Sequence, residues 1–310
     1  MLRTVTLEEI RAAEERLRGV AVRTPLVRLE FEGAEGEVYV KMEGLQPVGS
    51  FKLRGAYNKI AQLNAEERER GVITYSSGNH AQGVAYAARA VGARAVIVMP
   101  ENVPEIKRSA TAALGAEIVT VGPGSVERRQ RAEELAAQFG YVMIPPYDDL
   151  DIIAGQATCG LEIVEDLPEV DLVLAPVSGG GLLGGVAAAV KHMKPEASVM
   201  GVEPELAADA QESFRTGKLA NWPAELTTRT VADGLRTQSL GELNFLHIRS
   251  FVDDILTVSD DEIERAMGVL DKAGIGAEAS GAVATAAMLF HQIKLLPYRK
   301  AVVIMSGSNG

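Results

Sequence analysis

The chain has 310 residues, 47% hydrophobic and 5% aromatic, enough for one large domain or two packed ones with substantial cores. A net charge of −11, with no basic run and no interleaving of basic and aromatic residues, excludes an electrostatic footprint for nucleic acid or an anionic membrane. Neither a signal peptide nor a spanning stretch is expected, and the single cysteine, Cys159, rules out an intrachain disulfide and fits a reducing cytoplasm.

In chain order, Thr6 and Glu9 form a Thr-x-x-Glu capping box ahead of a helix whose apolar face carries Ala13 and Leu17. Residues 38–42 read as a strand. Gly49-Ser50-Phe51-Lys52-Leu53-Arg54-Gly55-Ala56 then places Lys52 at the opening turn of a helix. Unpaired N–H groups and partial positive charge gather at such an end, so an ammonium there is disfavoured relative to a free amine or imine. A lysine of lowered pKa can act as nucleophile, base or Schiff-base partner.

Short β-branched runs next alternate with helical spacings. Residues 72–75 precede Ala81, Val84, Ala85 and Ala88; residues 95–99 precede Ile106, Ala110 and Ala113; residues 117–121 precede a helix over 125–139 and a strand over 141–144. Such alternation predicts βαβ units and a mostly parallel sheet. Pro145-Pro146 interrupts it. Cys159, in the helix-like stretch 155–164, is expected to be a buried structural thiol. A second α/β set runs from a strand over 170–175 to one over 301–305, so two lobes are expected. The stretch 208–246 lacks a strong pattern and is expected to be functional or to conceal short helices.

Three glycine-serine loops each follow a hydrophobic strand: Ser76-Ser77-Gly78-Asn79-His80, Ser178-Gly179-Gly180-Gly181-Leu182 and Ser306-Gly307-Ser308-Asn309-Gly310. In parallel α/β sheets they would lie at the carboxyl edges of the strands, where ligands bind. The middle loop opens a helix over 182–193, and its glycines let backbone N–H groups close on an anion in front of the helix dipole. The same loop also fits a dinucleotide fingerprint, Gly179-x-Gly181-x-x-Gly184 trailed by Glu203. Taken alone, it would point to an NAD-dependent dehydrogenase. That reading leaves Lys52 and the loop at 76–80 without a role.

Ser-Phe-Lys-x-Arg-Gly-Ala at 50–56, with these loops, resembles the threonine dehydratase (threonine ammonia-lyase) and serine racemase family of tryptophan-synthase-β-like, fold type II pyridoxal-phosphate enzymes. The resemblance spans Thr24-Pro25-Leu26 to Ser306. It implies two open three-layer αβα domains with mostly parallel sheets: a large cofactor-binding domain over 1–65 plus 147–310 and a small substrate-binding domain over 66–146. By the same resemblance Lys52 is the Schiff-base lysine, Phe51 lies beside the pyridine ring, and Ser178, Gly179, Gly180, Gly181 and Leu182 hold the phosphate. Ser178 stands where the family usually has glycine. Ser76, Ser77, Gly78, Asn79 and His80 would meet the amino-acid carboxylate, with Asn79 also on the phenolic oxygen. Ser306 would face the pyridine nitrogen, where a neutral hydroxyl moderates the electron sink and favours elimination. Glu278, in Glu278-Ala279-Ser280-Gly281-Ala282, would line the other side of the ring; its alternative is an acid at a helix N-terminus.

Glu203, Ala207 and Asp209 resemble the divalent-cation site of the serine racemase and dehydratase branch, with oxygen donors suited to Mg²⁺ or Ca²⁺. The activity implied is pyridoxal 5'-phosphate-dependent dehydration: Lys52 removes the Cα proton, the β-hydroxyl leaves, and 2-oxobutanoate from threonine or pyruvate from serine forms with ammonia. Ser77 stands where racemases of the family carry the serine that reprotonates the opposite face, so serine racemase activity is the alternative. A non-catalytic amino-acid-binding protein is a third reading. A cytoplasmic homo-oligomer, dimer or tetramer, is expected, without the C-terminal regulatory domain of feedback-controlled threonine dehydratases.

Overall fold

The computed structural model describes residues 2–31, 36–122, 124–291 and 299–309. Its first half runs α1 (Leu7–Leu17), β1 (Leu26–Leu29), β2 (Glu37–Met42), α2 (Lys52–Ile60), α3 (Ala65–Arg70), β3 (Val72–Tyr75), α4 (Asn79–Ala90), β4 (Ala95–Pro100), α5 (Glu105–Ala113), β5 (Glu117–Val121), α6 (Ser125–Phe139) and β6 (Val142–Met143). There follow α7 (Leu150–Asp166), β7 (Val170–Pro176), α8 (Gly181–Met193), β8 (Ser198–Pro204), α9 (Asp209–Thr216), α10 (Ala224–Thr227), α11 (Glu242–Phe251), β9 (Asp254–Val258), α12 (Asp260–Lys272), α13 (Ala279–Phe290) and β10 (Lys300–Met305).

These strands form two sheets. A six-stranded sheet has the order β1-β2-β10-β7-β8-β9, parallel except for β1. A four-stranded sheet, β5-β4-β3-β6, is parallel throughout. Both are buried on two faces, which the period of two along each strand makes possible. On β10, Ala301, Val303 and Met305 join the core under α12 and α13, while Val302 and Ile304 join the core under α8 and α11. On β4, Ala95, Ile97 and Met99 face α2 and α4, and Val96 and Val98 face α6. The α/β architecture with helices on both faces is the one expected.

Thr6 and Glu9 form the reciprocal capping box of α1, which buries Ile10, Ala13 and Leu17. Cys159 is fully buried in α7, and burial drives its thiol pKa far up, as an inert core residue requires. The helix expected after β4 forms, but its face is reversed. Ile106 is 78% exposed, and α5 buries Thr111, whose hydroxyl donates to the Lys107 carbonyl at 3.0 Å. A hydroxyl satisfied within its own helix can be buried at little cost, so apolar spacing alone misjudged which side turns inward. Among the described residues no helix is long and apolar enough to cross a membrane.

Candidate active site

The three loops leave the carboxyl ends of β3, β7 and β10. The third is laid along the segment before Lys52: Ser50 and Gly307 form an antiparallel bridge, the Phe51 N–H donates to the Ser306 carbonyl at 3.1 Å, and the Ser308 N–H donates to the Gly49 carbonyl at 2.9 Å. Gly49 has φ +69°, and a Cβ there would lie 2.1 Å from Asn309 Oδ1, so this turn needs glycine twice over. Gly310 lies outside the described residues.

Held this way, Lys52 opens α2 as expected. Its Nζ donates to the Pro146 carbonyl at 2.8 Å and lies 5.2 Å from the Phe51 ring centroid. Among the described residues it has no carboxylate partner, and burial lowers its pKa to about 8. The sequence argued for a weakened ammonium from the helix end; desolvation is the cause the structure supplies.

Asn79 begins α4, and its side chain joins the first loop to the third. Its Nδ2 donates to Glu278 Oε1 at 2.7 Å, and its Oδ1 accepts from Asn309 Nδ2 at 2.9 Å. Glu278 Oε2 accepts the Asn309 N–H at 3.0 Å. One N–H of the Asn79 amide is left for a further acceptor. Glu278 stands at the N-cap of α13 but makes no side-chain cap, turning instead to the two asparagines; burial raises its pKa. Ser306 is buried, and its nearest acceptor, the Ser280 carbonyl, is 3.5 Å away, too far for a good bond.

Ser76, Ser77, Gly78 and Asn79 are half-buried, whereas His80 turns inward. Its Nε2 meets the Ile144 carbonyl at 3.0 Å, and burial, with Lys52 nearby, lowers its pKa to about 3. The imidazole is therefore neutral and already partnered. What His80 offers a ligand is its first-turn N–H, which like that of Asn79 has no acceptor within α4.

In the middle loop, Gly180 adopts φ +95° as the N-cap of α8. Ser178 Oγ is paired with Thr237 Oγ1 at 2.7 Å, so its hydroxyl is drawn toward Thr237. The Tyr147 ring covers the loop so closely that a Cβ on Gly179 would lie 2.4 Å from it. Glu203 gives no support to dinucleotide binding: it is buried, its carboxylate accepting from Ala210 N at 3.2 Å and Gln211 N at 2.6 Å at the start of α9. Asp209 lies beside it, also buried, with Oδ2 unpartnered; Ala207 is buried in the turn between them. Burial, with the Asp209 charge added, holds the Glu203 pKa well above the carboxylate range; burial brings that of Asp209 to about 7. Among the described residues no three His, Cys, Asp or Glu side chains cluster as metal ligands.

Tyr147, Asn244 and Asn309 also belong to this site. The first follows the Pro145-Pro146 pair, whose position after a strand was the available signal. The other two sit in stretches whose composition marks loops but not contacts.

A family model described as pyridoxal-phosphate dependent enzyme matches residues 17–307. The chain belongs to the pyridoxal-phosphate-dependent enzymes. It is 43% identical to an L-threonine ammonia-lyase of Thermotoga maritima over 98% of this chain and 76% of that one. It is 40% identical to an L-threo-3-hydroxyaspartate ammonia-lyase of Saccharomyces cerevisiae, over 98% and 93% respectively. Among solved structures, maize serine racemase superposes with a TM-score of 0.95 at 36% identity, covering 99% of this chain and 94% of that one. These pyridoxal-phosphate enzymes share the fold type II architecture expected from the motifs.

The site fits the family's cofactor. A desolvated amine with no counter-charge among the described residues suits an aldehyde partner better than a cation's role. The glycine loop admits no side chain under Tyr147.

Proposed function

We propose that this chain is a lyase releasing ammonia from L-threonine and L-serine, giving 2-oxobutanoate and pyruvate. The observation that carries it is the half-buried Lys52 amine, its pKa lowered to about 8 by desolvation, beside three strand-end loops. Pyridoxal phosphate, when bound, supplies an aldehyde for an amine and a ring that accepts electrons. Lys52 Nζ then takes the Cα proton, since a desolvated amine of pKa about 8 is a competent base near neutral pH. The N–H groups of Ser178 to Leu182 would hold the phosphate at the start of α8, where the dipole favours an anion. The loop 76–80 would hold the substrate carboxylate through backbone N–H groups and short polar side chains, Asn79 and Phe51 would orient the ring, Glu278 would line it, and Ser306 would face its nitrogen. The Cα–H electron pair becomes a Cα=Cβ bond, the β-hydroxyl leaves as water with the proton that Lys52 took up, and hydrolysis of the released enamine gives the 2-oxoacid and ammonia.

The test is the visible spectrum of the purified protein, followed by 2-oxoacid release from L-threonine, L-serine and L-threo-3-hydroxyaspartate. A protein left colourless by added pyridoxal phosphate would remove the reading.

Serine racemisation is a second reading, supported by Ser77, whose hydroxyl makes no hydrogen bond among the described residues, and by the similarity to maize serine racemase. Ser77→Ala should then abolish D-serine formation with dehydration intact; D-serine from neither form discards racemisation.

Glu203, Asp209 and the Ala207 carbonyl would hold Mg²⁺ or Ca²⁺, the unpartnered Asp209 Oδ2 and the adjacent buried carboxylates being what a hard cation satisfies. Millimolar MgCl₂ should raise the melting temperature of the protein and not of Asp209→Asn. The division into lobes at 66–146 is retained as a proposal, with α2 drawn toward the smaller one, since Leu53, Ala56 and Ile60 share a core with Val72 and Ile97. A cytoplasmic homo-oligomer completes the reading.

A further inference from the structure

The carbonyl of Gly179 in the glycine loop is held by two donors. It accepts from the Gly241 N–H at 3.1 Å and from Asn244 Nδ2 at 2.8 Å, both at the start of α11. A trans peptide unit sets its C=O and its N–H on opposite sides. Binding the Gly179 oxygen to α11 therefore turns the Gly180 N–H to the side of the loop away from α11. Gly180 backs so closely on α11 that a Cβ would lie 2.8 Å from Asn244 Cβ, and its φ of +95° already excludes most side chains.

Asn244 is fully buried, and its Oδ1 has no partner. Reversing the amide would set that oxygen against the Gly179 oxygen, so its orientation is forced. A buried unsatisfied acceptor costs stability, and an apolar residue of the same volume would avoid the cost. The start of α11 is in turn gripped by Asp148, whose carboxylate accepts the N–H groups of Glu242, Leu243 and Asn244 at 3.2, 2.9 and 3.4 Å. Asp148 follows Pro146, which holds the Lys52 amine, and Tyr147, which covers Gly179. The orientation of the glycine loop and the placing of Lys52 thus share one clamp.

We propose that Asn244 is a positioning residue which, locked by Asp148, fixes the Gly179 carbonyl and so aims the Gly180 N–H at the cofactor phosphate. The proposal rests on the reading of Ser178 to Leu182 as the phosphate-binding loop. Asn244 touches no reacting atom; it spends stability of the empty protein to keep a donor aimed.

Asn244→Leu keeps the volume and removes the amide. After the cofactor has been stripped, melting of the empty variant should equal or exceed that of the wild type, because the orphan acceptor is gone. Titration with pyridoxal phosphate, followed by its visible band, should show a dissociation constant raised about tenfold, the effect of losing one buried hydrogen bond. The phosphorus NMR signal of the bound phosphate should move. Asn244→Met, which likewise carries no amide donor, should show the same loss of affinity. Unchanged affinity and phosphorus shift in both variants would overturn the proposal, as would a destabilised empty protein that binds normally. A wild type that takes up no pyridoxal phosphate would remove the phosphate-binding loop and this role with it, whereas normal uptake by the wild type and by both variants removes only the role of Asn244.

Discussion

Lys52 carries a charge that the fold disfavours. Its pKa is about 8 in the folded chain against 10.5 for an unperturbed lysine, so between those values the unfolded chain binds more protons than the folded one. Stability contributed through this group therefore rises with pH across that window, and below about pH 8 the buried ammonium burdens the empty protein. Lys52→Met should raise the melting temperature of the empty protein at pH 7, with the gain fading toward pH 10–11, and should abolish the cofactor's visible band. A variant that melts lower at every pH would contradict the burial cause. For wild type, cofactor uptake should quicken as pH rises through about 8. Motif and spacing were enough to single out Lys52, but its neighbours decide how it is tuned: the inward turn of His80 toward the Ile144 carbonyl depends on a chain segment 64 residues away.

At the scale of elements, α2 is fixed from its far side. Arg54, two residues beyond Lys52, is buried and forms a double fork: Nε and Nη2 donate to Glu43 at 2.8 and 2.7 Å, and Nη1 and Nη2 to Glu162 at 2.7 and 2.8 Å. Lys41 completes the cluster on Glu162 at 2.6 Å, so two cations offset two anions. Removing one member of such a buried network leaves an uncompensated charge, at a cost of about 3–5 kcal/mol. Arg54→Met should lower the urea midpoint accordingly, Arg54→Lys should fall between because it lacks the planar fork, and Glu43→Gln added to Arg54→Met should recover part of the loss. Equal midpoints for the Met and Lys variants would deny the fork its role. Helices with dense local patterns were legible, α6 at both ends. In the region 208–246 the short helices were expected but not their bounds, because its order is tertiary: α9 is started by the carboxylate of Glu203 and α11 by that of Asp148, neither adjacent in sequence.

For the whole molecule, two sets of α/β units were readable from the alternation and form two sheets, while the way they share one site was not. That sharing is concentrated at Asn309. Its side chain donates to the Val48 carbonyl at 2.6 Å ahead of α2 and to Asn79 at the start of α4, 230 residues away, and its N–H donates to Glu278 at the start of α13. No local pattern announces such a node, because every partner lies on a distant element. Asn309→Ala removes the two side-chain bonds, a loss of about 1–3 kcal/mol, and should lower the melting temperature by several degrees. Because Asn79 then loses the partner of its Oδ1, the loop at 76–80, proposed to hold the substrate carboxylate, should be less well ordered before substrate arrives, raising KM more than it lowers kcat. Steady-state kinetics with L-threonine and a melting curve measure both; a variant with unchanged KM and unchanged melting would show that the three loops are held together without Asn309.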